Sequence, residues 1–183
     1  AAIERLKKTG GQRFADIGTG SGAIALSVVH YLPESAACAV DLSAEALAVA
    51  RENADQLGLS ERVEFFCGDL YQPVKTRRFD AILSSLPYIP KADIAGLEPE
   101  VREFEPFSAL DGGADGLDFY RRLVKEGEEL LLPGGFMAFE VGIYQAQEVA
   151  ALANASQSLG HAEILQDYSG IDRVVILWKQ EEK

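Results

Sequence analysis

Residues Arg13 to Tyr31 read RFADIGTGSGAIALSVVHY. Arg13-Phe14-Ala15-Asp16-Ile17 has the length and apolar content of a buried strand, and Gly18-Thr19-Gly20-Ser21-Gly22 follows at once. Ala23 to Tyr31 then reads as a helix of small and branched apolar residues, closed by Pro33. Glycines let the chain turn tightly and let a ligand approach the backbone, while the start of the next helix offers free N–H groups. Strand, glycine loop and helix in that order open an α/β sheet that binds its ligand at the carboxyl ends of its strands. Taken alone, Gly18-x-Gly20-x-x-Ala23 also fits a nicotinamide dinucleotide site, so the motif leaves the ligand class open.

The pattern repeats outward from there. A short helix over Ala1 to Lys8, stopped by Gly10-Gly11, precedes the first strand. Ala36 to Val40 forms a second strand ending at Asp41, and Ser43 is a good N-cap for a helix from Ala44 to Leu57, with Gly58 after its end. Strand three, Val63 to Cys67, ends at Gly68-Asp69, and strand four is Phe79-Asp80-Ala81-Ile82-Leu83. A connection from Lys91 to Gly116 has little periodicity, and loops of that length inside a compact domain are usually functional or mobile. A helix from Leu117 to Leu132 leads through Pro133-Gly134-Gly135 into strand five, Phe136 to Val141. A further helix, Gln145 to Leu159, precedes strands near Ala162–Leu165 and Arg173–Trp178, joined by the turn Asp167-Tyr168-Ser169-Gly170. Strand alternating with helix five times predicts a parallel sheet covered on both faces, and the closing hairpin places one antiparallel strand in it. The expectation is a single α/β domain over residues 1–183, with residues 1–11 as a leading helix.

With 183 residues, 48% hydrophobic and 25% charged, the composition is that of an ordinary soluble globular chain. No apolar run approaches the roughly 20 residues that cross a bilayer, no signal-peptide pattern opens the chain, and a reducing cytoplasm fits. The first residue is Ala1 rather than Met, as in an excised domain or a chain with a disordered beginning. A formal charge of −12 argues against broad phosphate-backbone binding, and the one dense basic stretch, Lys75-Thr76-Arg77-Arg78, reads as a solvated turn. Cys38 and Cys67 lack metal-ligand spacing and are expected to be buried thiols. His30 ends a helix, where a cation suits the dipole, and His161 reads as a strand-edge surface residue. No Ser-His-Asp, metal-ligand or P-loop pattern appears, which leaves hydrolase and nucleotide-triphosphatase readings without support.

The strand ends carry the chemistry. Asp16 comes with the glycine loop, then Asp41, then Asp69, then Ser85-Leu86-Pro87-Tyr88. Asp41 stands where an acid pairs with ribose hydroxyls, although an Asp just before a Ser N-cap also favours the helix dipole. Asp69 can accept a hydrogen bond from an exocyclic adenine amine, which the nicotinamide fingerprint does not require. Pro87 fixes its own φ and holds Leu86 extended, so the neighbouring carbonyls are aimed in advance, and Tyr88 adds a flat ring suited to a planar group. The bland alternative is a Pro-terminated strand that merely turns, with Tyr88 as a packed aromatic.

Glycine loop, two acids and a Pro-Tyr loop in succession resemble the class I S-adenosylmethionine-dependent methyltransferases, which implies a Rossmann-like sandwich with a seven-stranded, mostly parallel sheet and an antiparallel last strand. The long connection narrows this. Val101-Arg102-Glu103-Phe104-Glu105-Pro106, Ala109-Leu110-Asp111-Gly112-Gly113 and Asp115-Gly116-Leu117-Asp118-Phe119-Tyr120 resemble the HemK/PrmC family, as do Pro133-Gly134-Gly135, Glu140-Val141-Gly142 and the ending Asp172-Arg173-Val174-Val175. These are the N5-glutamine methyltransferases of the Gly-Gly-Gln loop in peptide chain release factors. The resemblance runs from Phe14 to Trp178. It implies S-adenosylmethionine as cofactor, held by Asp16, Gly18, Thr19, Gly20, Ser21, Gly22, Asp41, Leu42, Asp69, Leu70 and Ser85. It also implies a release factor as protein partner, a monomer without direct nucleic-acid contact, and catalytic residues Ser85, Leu86, Pro87 and Tyr88.

Two departures stand out. The family's small helical front domain has no counterpart here beyond Ala1 to Lys8. Its acceptor loop reads Asn-Pro-Pro-Tyr, where this chain has Ser85-Leu86-Pro87-Tyr88. In the family the Asn side-chain oxygen and the next backbone carbonyl hold the substrate NH2. The Leu86 carbonyl, Pro87 and Tyr88 survive that comparison, while Ser85 keeps an oxygen on a shorter stem. The expectation is weakened catalysis or a changed acceptor, with cofactor binding kept. Methylation of a nucleic-acid amine and a non-catalytic cofactor-binding module are the alternatives. Arg102, Glu105 and Glu140 are left undecided between structural and substrate roles.

Overall fold

The computed structural model describes residues 1–181. Helix α1 (Ala2–Thr9) leads into strand β1 (Arg13–Ile17), followed by α2 (Ala23–Tyr31), β2 (Ala36–Asp41), α3 (Ala44–Leu57), β3 (Val63–Cys67) and β4 (Phe79–Ser84). Then come α4 (Pro99–Phe104), α5 (Asp118–Gly127), β5 (Leu131–Glu140), α6 (Ala146–Ala151), β6 (Leu159–Gln166) and β7 (Asp172–Lys179). The strands form one seven-stranded sheet in the order β3-β2-β1-β4-β5-β7-β6. β1 to β5 pair in parallel, and β7 runs antiparallel to both β5 and β6. This is the expected Rossmann-like sheet with its last strand reversed.

Strand order reverses between β1 and β4, because the chain first builds β2 and β3 on one side of β1 and then returns to the other. A crevice opens at such a switch, outside the carboxyl ends of the two strands. Alternation along the strands fills both faces of the sheet. Ile17, Val40, Ile82, Met137 and Phe139 pack against α5 and α6, while Phe14, Ala39, Leu83, Phe136 and Ile176 pack against α1 and α2. A sheet apolar on both faces is anchored throughout, which leaves only its upper loops free for chemistry.

The structure corrects several boundaries. α5 stops at Gly127 rather than Leu132, because Leu131 is taken into β5 and pairs with Phe79. The run Pro133-Gly134-Gly135 is a bulge inside β5 and not a turn before it, and the register shifts between Phe79 and Ala81 to absorb it. α6 ends at Ala151 and tightens into a 3₁₀ turn over Leu152–Ala155, so β6 begins at Leu159. The long connection contains α4 and is stitched to the loop after β4 by a parallel bridge between Ile89 and Asp111.

Cys38 is buried as expected, but Cys67 is exposed at the end of β3, with its thiol 3.5 Å from the Leu42 carbonyl. Arg77 does more than solvate a turn. It pairs with Glu64, lies over the Phe66 ring and donates to the Cys38 sulfur. His161 stacks on Trp178 at the sheet edge. Among the described residues no helix is long and apolar enough to cross a membrane, and no group of His, Cys, Asp and Glu is placed to hold a metal ion.

Candidate active site at the sheet switch

The glycine loop is built around Asp16. Its side chain is fully buried at the end of β1, where Oδ2 accepts from the Thr19 hydroxyl at 2.7 Å and the Ala25 amide at 3.0 Å. Asp16 thus ties the loop to the first turn of α2. Gly18, Gly20 and Gly22 all have positive φ, and a Cβ on Gly20 would meet nothing within 4 Å, so the loop presents open space above its backbone. Thr19 is buried and serves Asp16, while Gly22 packs on Leu26 and Ala50, so both shape the loop from beneath. Ser21 stays exposed, and its carbonyl accepts from Asn53.

Oδ1 of Asp16 is buried with no hydrogen-bond partner among the described residues. An orphaned buried carboxylate oxygen is costly unless a donor or a cation comes to it. Burial pushes the Asp16 carboxyl up to about 6; the Thr19 and Ala25 hydrogen bonds oppose the rise, and the nearby Asp41 charge adds to it. The native state therefore holds the Asp16 proton more tightly than the unfolded chain does, and stability is lost as pH rises from about 4 through about 6. Asp16→Asn should abolish that loss. The difference in unfolding free energy between variant and parent should move in the variant's favour by on the order of 3 kcal/mol between pH 4 and pH 7. Urea titrations at both pH values read this directly, and a difference independent of pH would show that Asp16 does not carry the penalty.

Asp41 ends β2 beside the same loop. Its Oδ2 accepts from the Gly20 amide at 2.8 Å and its Oδ1 from the Ser43 amide at 2.9 Å, while Ser43 Oγ caps α3 by accepting from Ala46. Each carboxylate oxygen keeps a lone pair on its half-exposed side. Leu42 follows as an exposed apolar side chain. Asp69 stands at the end of β3 but is not free, because Arg122 of α5 holds it with two hydrogen bonds of 2.8 and 3.1 Å. Leu70, next in the turn after β3, has φ +46 and a side chain buried in the core.

The loop after β4 is held from three directions. Ser85 Oγ donates to Glu140 Oε2 at the end of β5, at 2.8 Å. Leu86 lies on the glycine loop: a Cβ on Gly18 would fall 2.3 Å from Leu86 Cδ2. Gln145 Nε2 donates to the Tyr88 carbonyl at 2.8 Å, and Ile89 and Lys91 exchange backbone hydrogen bonds with Leu110, Gly112 and Gly113 of the long connection. The Tyr88 ring is half-buried, and burial together with the Glu140 charge raises its phenol above the ordinary value. Arg102 donates to the Ala95 carbonyl and so pins the long connection to itself. Of the residues singled out in the sequence, Asp16, Gly18, Gly20, Asp41 and Ser85 to Tyr88 lie at or just beyond the carboxyl ends of β1, β2 and β4. Arg122 and Gln145 were missed, since their partners lie 53 and 57 residues away and leave no periodic signal.

Residues 2–95 match the family model described as methyltransferase small domain, over half of the chain. The chain belongs to that family. Among its relatives, the release factor glutamine methyltransferase of Moorella thermoacetica is 47% identical over 182 residues, which cover 100% of this chain and 64% of that protein. The protein of the same name from Gloeobacter violaceus is 44% identical over 177 residues, covering 97% of this chain and 62% of the relative. The chain thus spans less than two thirds of the length of either relative. Among solved structures, TrmN from Thermus thermophilus superposes with a TM-score of 0.65 at 27% identity, covering 97% of this chain and 48% of that one. A methyltransferase from Pyrococcus furiosus superposes at 0.71 with 19% identity, covering 98% and 81%, which is a likeness of fold. This methyltransferase small domain therefore carries its glycine loop and its Pro-Tyr loop at the switch of a methyltransferase sheet.

Proposed function

We propose that residues 1–183 form the catalytic domain of an S-adenosylmethionine-dependent protein methyltransferase. Its substrate is the side-chain amide of the glutamine in the Gly-Gly-Gln loop of a peptide chain release factor. The observation that supports the reading is the packing of Leu86 on Gly18, which brings the loop after β4 against the glycine loop. The names and identities of the relatives supply the acceptor.

The residues present suit S-adenosylmethionine. The orphaned Asp16 oxygen calls for a positive neighbour, Gly20 leaves room above the loop, the Asp41 carboxylate can accept from a ribose diol, and exposed Leu42 offers an apolar face to a purine. Asp69 retains lone pairs beside Arg122 for an adenine amine. When bound, the cofactor would supply an electrophilic sulfonium methyl for transfer to the amide nitrogen, which would give up a proton in exchange. The protein contributes position. The Leu86 carbonyl and Ser85 Oγ accept from the NH2 hydrogens, turning the nitrogen lone pair out of conjugation, while Pro87 fixes the loop and Tyr88 packs on the amide plane. A cytoplasmic monomer acting on a protein, without direct nucleic-acid contact, is consistent with the charge of −12.

Transfer of a labelled methyl group from S-adenosylmethionine to purified release factor tests this. Label should appear on the Gly-Gly-Gln glutamine and nowhere else. Ser85→Asn combined with Leu86→Pro should transfer faster by up to about a hundredfold, since a misplacement of about 1 Å costs that much. Cofactor affinity should agree within a few-fold in both. Label on a nucleic-acid amine, or cofactor binding with no transfer by either version to any acceptor, would overturn the glutamine reading.

A further inference from the structure

Ser85 is shorter than an asparagine and ambiguous in a way that an amide oxygen is not. A hydroxyl can donate or accept, so a free serine at the acceptor position could grip a carboxylate or a carbonyl as readily as an NH2. The structure removes that ambiguity. The single hydroxyl hydrogen of Ser85 is committed to Glu140 Oε2 at 2.8 Å, and both side chains are half-buried. A hydrogen bond to an ionised acceptor is among the strong ones, and it polarises the donor oxygen, which becomes a better acceptor in turn. What Ser85 has left to offer is two lone pairs.

Glu140 is placed for this by the sheet. β4 and β5 run in parallel with Ser84 opposite Phe139, which places the next residues, Ser85 and Glu140, side by side at the carboxyl edge of the sheet. The Glu140 backbone is fixed in turn. It pairs with Val174 of β7, and its carbonyl accepts from the buried Tyr120 hydroxyl at 2.7 Å. The carboxylate therefore does not have to be ordered when substrate arrives.

We infer that Glu140 is a positioning residue that locks Ser85 as an acceptor-only group, so that the site selects a primary amide over a carboxylate. The inference rests on the glutamine reading above. A carboxylate in place of that amide would bring no hydrogen to Ser85 and a second negative charge toward Glu140, leaving polar groups unpaired in a half-buried site.

The test uses the full chain saturated with S-adenosylhomocysteine, titrated with release factor and with the same factor carrying Glu in place of the Gly-Gly-Gln glutamine. Transfer kinetics from S-adenosylmethionine are measured alongside. The parent should prefer the Gln form. Glu140→Ala should shrink that preference and lower kcat by about ten- to a hundredfold, with KM for the cofactor unchanged. Ser85→Ala should likewise shrink the preference and lower kcat, and the double variant should be no worse than Ser85→Ala alone. In a Ser85→Asn background the cost of Glu140→Ala should fall, because an amide oxygen accepts without help. Glu140→Gln keeps an oxygen that can accept from Ser85, so it should recover part of the rate and serves as the probe if Glu140→Ala does not fold. If Glu140→Ala costs as much in the Ser85→Ala background as in the parent, Glu140 acts on substrate or fold directly and the inference falls. A parent that transfers methyl to the Gln form but binds both factors equally would overturn the inference alone, whereas no transfer to the Gln form would bring down the glutamine reading and the inference with it.

Discussion

Asp41→Ala should weaken S-adenosylhomocysteine binding by at least a hundredfold and lower stability as well. One carboxylate supports two elements that meet the ligand. Its Oδ2 holds the Gly20 amide at 2.8 Å and its Oδ1 the Ser43 amide at 2.9 Å, so the glycine loop and the start of α3 are fixed to each other through this side chain. Alanine leaves both N–H groups without their acceptor. Each hydrogen bond to a charged group contributes roughly 1.5–3 kcal/mol, so a destabilisation of about 2 kcal/mol is expected even with some rescue by water. The binding loss is larger, because in the proposed site the same carboxylate accepts from the ribose diol and loop order is lost at the same time. Asp41→Asn separates the two. It retains one acceptor oxygen for the backbone but places a donor where the other was, so stability should recover more than affinity. Isothermal titration and urea unfolding on the three proteins measure both quantities. Affinity within a few-fold of the parent in Asp41→Ala would mean that the ribose is held elsewhere. Asp69→Ala should cost less than Asp41→Ala, since Asp69 spends two hydrogen bonds on Arg122 and supports no part of the glycine loop.

How far the sequence reached depended on whether a feature was local. β1, the glycine loop and α2 are adjacent in the chain, and α3 announces itself through Ser43 and Gly58, so these were legible residue by residue. The reversed β7 followed from the hairpin turn at Asp167–Gly170. β5 was misjudged at its start because Pro133-Gly134-Gly135 has the composition of a turn. Pairing with β4 absorbs it as a bulge, with Gly134 at φ +73 and Gly135 so close to Asp80 that a Cβ would lie 2.8 Å from its carbonyl oxygen. In the site, the strand-end acids and the Pro-Tyr loop could be read in order, since every parallel strand delivers its last residues to the same edge. The protein groups that each side chain meets could not be read. Asp69 meets Arg122 and Ser85 meets Glu140 across 53 and 55 residues, and such polar pairs are set by sheet order and helix packing rather than by spacing in the chain.

Gly116→Ala should cripple turnover while sparing the cofactor. Gly116 has φ +77, a conformation that L side chains rarely adopt, and its added Cβ would stand 2.3 Å from the Tyr88 carbonyl oxygen and 2.5 Å from Gln145 Nε2. The first of these is backbone of the acceptor loop and cannot swing aside. The second is the donor that holds that carbonyl at 2.8 Å. Relief therefore means moving Tyr88, and with it Pro87 and the Leu86 carbonyl, away from the amide. Left-handed strain and overpacking each cost about 1–3 kcal/mol, so with a total of about 4 kcal/mol, and at roughly 2–4 °C per kcal/mol for a chain of this size, the melting temperature should drop by about 8–16 °C. A shift of about 1 Å in the acceptor loop should reduce kcat by on the order of a hundredfold. Affinity for S-adenosylhomocysteine should stay within a few-fold, since the hydrogen bonds that Asp16 and Asp41 accept from the glycine loop and its flanking segments do not pass through Gly116. Gly96→Ala is the control in the same connection: its Cβ would meet nothing within 4 Å, and its φ lies outside the left-handed range. That variant should melt and turn over like the parent. Equal losses in both variants would point to general disorder of the connection, whereas a loss confined to Gly116→Ala assigns the effect to the wedge between Gln145 and Tyr88.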